Sequence, residues 1–125
     1  KLIKSYRLKN KYLHKLKKKK RDSEGLVYLN KNLYISFEGV ARIVKYSLNG
    51  IKIKKLKIPK ALRDMKNYKS KNKALEALAY SKKYGFITAP ELPFGDEKVH
   101  ILYTTKHKTF RFKASGMITA LEFID

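Results

Sequence analysis

The 125-residue chain has no cysteine, which excludes disulfides and a zinc ribbon and leaves the redox compartment unmarked. Acidic residues are scarce. Ten Asp and Glu stand against 31 Lys and Arg, for a formal net charge of +21. Arginine is scarce in its turn, limited to Arg7, Arg21, Arg42, Arg63 and Arg111. Bidentate arginine reads base edges, whereas lysine acts as a point charge on phosphate. The bias therefore points to backbone and shape recognition of a polyanion, although an A+T-rich coding genome would also enrich Lys, Asn, Ile and Tyr. Long apolar runs and amphipathic anchors are lacking, so a membrane is a weaker partner than nucleic acid. Catalytic signatures are lacking too. His14, His100 and His107 have no partners at metal-ligand spacing. Glu91, Asp96 and Glu97 read as a solvated turn, and there is no phosphate-cradling glycine loop or nucleophile elbow. The expectation is a non-enzyme with no cofactor, no metal and no small-molecule substrate.

What is present is enough for a core. With 43% hydrophobic residues the chain is not a disordered polyelectrolyte. Its length fits one domain or two small ones. Self-repulsion at this charge is relieved by an anionic partner. Residues 1–60 carry 19 Lys and Arg against Asp22, Glu24 and Glu38, while residues 84–125 are neutral. The chain opens on Lys1 rather than Met, which fits a piece whose targeting segment lies upstream.

The strongest local signal is Asn49-Gly50, a hairpin turn between Val40–Leu48 and Ile51–Pro59. A two-residue turn pairs Leu48 with Ile51 and Tyr46 with Ile53, and a bulge near Lys54-Lys55 restores register by placing Leu56 opposite Val44. One face is then apolar and the other cationic, with Lys45, Ser47, Lys52 and Lys54. Upstream, residues 1–11 read as the end of an amphipathic helix with Lys4, Arg7 and Lys11 on its polar side. The run Lys15–Arg21 is either a solvated arm or a phosphate-tracking one. Leu26–Phe37 reads as two short strands around Asn30-Lys31-Asn32. Downstream, Leu75, Leu78 and Ala79 form a narrow stripe on a helix over 71–84, capped by Ser70 and ended by Gly85. Thr88–Glu97 reads as a loop, Val99–Thr105 as a strand, Phe110 and Phe112 as alternating positions, and Ile118–Ile124 as a last strand. The fold class is α+β, two small subdomains at 1–58 and 59–125, each a short sheet packed with a helix.

In this order the pieces resemble the small-subunit ribosomal protein eight family in a divergent, organellar form. The segments that carry the likeness are IKSYRLKNK at Ile3–Lys11, EGLV at Glu24–Val27 and IVKYSLNGIKIKKLKIPKALR at Ile43–Arg63. They continue with NKALEALAYSKKYG at Asn72–Gly85, HILYTTKHK at His100–Lys108 and ASGMITALEFID at Ala114–Asp125. The resemblance implies a structural protein of the small subunit of a mitochondrial ribosome, with ribosomal RNA and neighbouring ribosomal proteins as partners and a role in translation. Lys4, Arg7, Lys11, Lys17, Lys18, Lys19, Lys20 and Arg21 would neutralise phosphates, with Lys52 and Lys54 on the hairpin. The turns holding Thr104, Thr105, Lys106 and Lys108, and Ser115 and Gly116, would dock against RNA without reading bases. Rivals are a lineage-specific ribosomal protein, a sheet-type DNA-binding module and an RNA-cleaving toxin.

Overall fold

A computed structural model describes residues 23–69, 74–95, 98–113, 116 and 118. The expected N-terminal helix and the Lys15–Arg21 run lie outside them. The described residues form two antiparallel four-stranded sheets. The first is β1 (Ser23–Leu29), β2 (Asn32–Phe37), β3 (Arg42–Ser47) and β4 (Lys52–Lys55), paired in sequence order. The second is β5 (Leu75–Ser81), β6 (Gly85–Pro90), β7 (Val99–Thr104) and β8 (Thr109–Lys113), likewise in order. Among the described residues helix is confined to α1 (Lys60–Arg63) and a 3-10 turn, Met65–Asn67. No helix among the described residues is long and apolar enough to cross a membrane.

The α+β expectation is therefore corrected to mostly β, and the error has a local cause. The segment read as a helix over 71–84 contains β5. In β5, Leu75 pairs with Pro90 and Ala77 with Ala89, so Glu76 is an extra residue, a β-bulge. The bulge shifts the phase of the strand and spaces buried Leu75 and Leu78 three apart, which imitates a helical stripe. Gly85 is not a helix terminus. It opens β6 with φ of 78°.

The remaining elements follow local chemistry. Asn30 and Lys31 both adopt positive φ (50° and 62°) and join β1 to β2 in a two-residue turn. The β3–β4 hairpin forms around Asn49-Gly50, but through a three-residue loop. The Gly50 N–H donates to Ser47 O at 3.0 Å, and Gly50 takes φ of 83°. Tyr46 consequently pairs with Lys52 rather than Ile53. Ile53 is the bulged residue, and Leu56 donates to Ile43 O rather than facing Val44. Lysine thus shares a face with Tyr46, and the clean apolar-versus-cationic division of this hairpin does not form.

The two sheets share one core. Ile43, Leu75 and Leu78, with Phe86 and Tyr103, meet Ile58, Leu62 and Tyr68 of the connection between the sheets. Tyr68 donates its hydroxyl to Leu62 O at 2.8 Å, and the Asp64 carboxylate accepts from Lys66 N at 3.0 Å, which fixes this connection. At the first strands the sheets nearly touch. A Cβ added to Gly25 would lie 2.7 Å from Leu78 N. Successive four-stranded meanders with their first strands side by side are the unit that β-propellers repeat around a channel.

Candidate functional site

The two sheets are repeats of one another in register as well as in topology. In β1, Ser23 pairs with Phe37 and Gly25 with Ser36, which leaves Glu24 as the bulged residue. Glu76 occupies the same position in β5, with Ala77 in place of Gly25 and Ala89 in place of Ser36. Each second strand is followed at once by a glutamate, Glu38 after β2 and Glu91 after β6. The sequence carries the signal as Glu-Gly-Leu-Val-Tyr at Glu24–Tyr28 and Glu-Ala-Leu-Ala-Tyr at Glu76–Tyr80. It was hidden because one copy reads as a strand and the other as a helix. Equivalent side chains differ in surroundings. Leu78 is buried against the first sheet, whereas Leu26, its counterpart, is 62% exposed on the face turned away.

The strand directions put these four glutamates at one end of their sheets, where β1 and β5 begin and β2 and β6 end. The connections from β4 to β5 and from β6 to β7 leave and return at the same end, while the described turns at the opposite end are short hairpin turns. Glu91 is buried, and its backbone is fixed from two sides: its N–H donates to Ala74 O and its carbonyl accepts from Ile118 N, both at 3.0 Å. Beside the start of β3 lies a cleft of about 280 Å³ lined by Arg42, Lys55, Lys57 and Arg63 over Ala41, Leu56 and Ile58. The Arg42 guanidinium stacks 4.1 Å from the Phe37 ring centre and donates to Val40 O at 2.9 Å. Carboxylates and guanidinium or ammonium groups therefore share this end. No group of three metal-ligating side chains occurs among the described residues. Burial raises the pKa of Tyr46, against the opposing charge of Arg42, and raises those of Tyr68 and Tyr103 as well.

Over residues 2–119 the sequence matches the family described as "Phytase-like: Esterase-like activity of phytase". The chain belongs to the phytase-like family. No curated protein and no solved structure matches it. Membership overturns the resemblance to ribosomal protein eight, and with it the structural role on ribosomal RNA, the mitochondrial-translation setting and the DNA-binding alternative. The segments that carried that resemblance are short, and one of them, Asn72–Gly85, was matched to a helix where this phytase-like chain has a bulged strand.

The residues singled out from the sequence are scattered. Lys4, Arg7, Lys11, Lys17–Lys20, Arg21 and Ser115 lie outside the described residues. Lys52 and Lys54 stand on β4, the edge of the first sheet, where lysine also discourages edge-to-edge pairing. Thr104 and Thr105 have structural uses. Thr104 Oγ1 donates to Lys108 O at 2.7 Å and accepts from Lys108 N at 2.9 Å, closing the β7–β8 turn. Thr105 Oγ1 accepts from Phe86 N at 3.0 Å. Lys106 Nζ donates to Lys82 O at 3.2 Å. Gly116, with φ of 99°, lies just before Ile118, which packs on Ala77 and Ala89. His100 is buried and stacks on Phe112 at 5.3 Å.

Proposed function

We propose that this chain contributes ester-hydrolysing chemistry at the glutamate-bearing end of its sheets. The observation that carries the reading is the bulge that sets a glutamate at the same ladder position in both repeats. A bulge takes one residue out of the pairing pattern and re-aims its side chain, and such features concentrate beside active sites. A carboxylate positioned against water acts as a general base, a contribution of about 10²–10⁴-fold. The family description, esterase-like activity of phytase, supports an ester as the bond attacked. The cationic cleft of Arg42, Lys55, Lys57 and Arg63 at the same end draws in and orients an anionic ester. The signatures missing from the sequence belong to glycine-loop phosphate binders, serine hydrolases and zinc hydrolases, and a carboxylate-activated water needs none of them.

The test is release of 4-nitrophenolate from 4-nitrophenyl acetate and from 4-nitrophenyl phosphate. Saturable release from either, lost when Glu24→Gln and Glu76→Gln are combined, supports the reading and identifies the ester class. Release no faster than in buffer for both compounds overturns it.

A further inference from the structure

Between the sheets lies a second cleft of about 390 Å³, whose lining runs from Asn30, Gly85 and Thr105 at the hairpin-turn end to Leu56 and Lys57 after β4. Residues of both sheets line it, Leu29 and Tyr34 from the first and Tyr80, Gly85 and Phe86 from the second. Its lining has two chemistries. Tyr34, Phe86 and Tyr80 form a run of rings, with Tyr34 and Tyr80 centred 4.4 Å and 5.1 Å from Phe86. Beside them stand Lys54 and Lys57, with Leu56 between. Lys45 adds a third ammonium 5.9 Å from the Tyr34 ring centre. Among the described residues no carboxylate lines the cleft.

The rings also close the inter-sheet core, which is their plainer use. That use accounts for the apolar faces but not for the rest. Among the described residues, neither phenol hydroxyl of Tyr34 and Tyr80 has a hydrogen-bond partner, and Lys54 and Lys57 have no ion pair. Two phenol donors and two ammonium groups thus border an apolar, ring-lined space within the size range of small-ligand pockets. The flat walls suit an aromatic ring, and the donors suit an anion at its edge.

We infer that this cleft is a binding site for a small aryl anion: one aromatic ring bearing a carboxylate or a phosphonate-type group. The cleft shares Leu56 and Lys57 with the cationic cleft near the glutamates, but the inference does not rest on the ester-hydrolysis reading. Ring and charge are recognised together, so neither alone suffices.

Isothermal titration of the whole chain with benzoate and phenylphosphonate, against inorganic phosphate and benzyl alcohol, tests this. At least one aryl anion is expected to bind tenfold or more tightly than both inorganic phosphate and benzyl alcohol. The relative affinity of benzoate and phenylphosphonate tells which anion is preferred. Lys45→Gln with Lys54→Gln, which leaves the cationic cleft of Arg42, Lys55, Lys57 and Arg63 intact, should weaken that binding tenfold or more, while Lys66→Gln with Lys113→Gln, which removes the same charge elsewhere, should leave it within twofold. Tyr80→Phe, which keeps the ring, should cause a smaller loss. Binding of inorganic phosphate as tight as that of the aryl anions would overturn the inference, as would equal losses in the two lysine pairs or no binding at all.

Discussion

The closest approach of the two repeats is at Gly25, and Gly25→Ala tests whether the sheets pack as described. An ideal Cβ there lies 2.6 Å from Ser36 Oγ, 2.7 Å from Leu78 N and 2.8 Å from Leu78 Cβ. Two of these neighbours cannot swing away, because Leu78 N and Cβ are fixed by the β5 backbone. The methyl must therefore push the first strands apart, and overpacking of this kind costs about 1–3 kcal/mol. Alanine also restricts the unfolded chain, which offsets about 0.4–1 kcal/mol where the backbone conformation suits it. Gly25 has no positive φ to add strain, so the net loss is about 1–2 kcal/mol. With a urea m-value near the middle of the usual range, about 1.5–2 kcal/mol/M, the midpoint falls by roughly 0.5–1.3 M. Gly95→Ala is the matched control, since nothing lies within 4 Å of its added Cβ. Urea unfolding followed by far-ultraviolet circular dichroism reads both. If Gly25→Ala unfolds at the same midpoint as Gly95→Ala, the sheets do not meet where the structure places them.

Two further predictions concern polar groups inside the same core. Ser36 Oγ is buried without a hydrogen-bond partner among the described residues, so Ser36→Ala should be neutral or stabilising, because it removes a desolvated hydroxyl; a loss above about 1 kcal/mol would show that the hydroxyl has a partner. Tyr46, Tyr68 and Tyr103 have pKa values raised by burial, so folding favours their neutral forms. Their contribution is complete below the ordinary tyrosine pKa, near 10, and is lost as pH rises above it toward the folded-state values. Thermal unfolding across pH 8–12 should show stability falling above about pH 10, less steeply in Tyr68→Phe. Stability that is flat through that range would contradict the burial of these phenols.

The parts of the fold set by adjacent residues were legible in the sequence. Asn30-Lys31 and Asn49-Gly50 are turns because Asn and Gly tolerate positive φ, and β2, β7 and β8 alternate as strands do. The parts set by register were not. Turn length at Asn49-Gly50 depends on which residues pair across it, and the three-residue loop moved the bulge from Lys54-Lys55 to Ile53. The bulge at Glu76 made a strand look helical, and that misreading concealed the second copy of the glutamate-bearing repeat. Thr104 and Thr105 are visible in the sequence as hydroxyls at a strand end, but their partners, Lys108 and Phe86, are a matter of tertiary placement. The strong positive charge is equally visible in the sequence, yet charge alone names no partner and suits any polyanion or small anion. It cannot separate a nucleic acid from a small anionic ester.

The most direct test replaces both bulged carboxylates. The initial rate of 4-nitrophenyl ester hydrolysis by the combined Glu24→Gln and Glu76→Gln variant is compared with that of the unaltered chain, with urea midpoints matched to show that both are folded. A fall of about 100-fold or more is expected, the size seen when a general base is lost. Equal rates in two equally stable proteins would contradict it and move the chemistry away from the repeated glutamates.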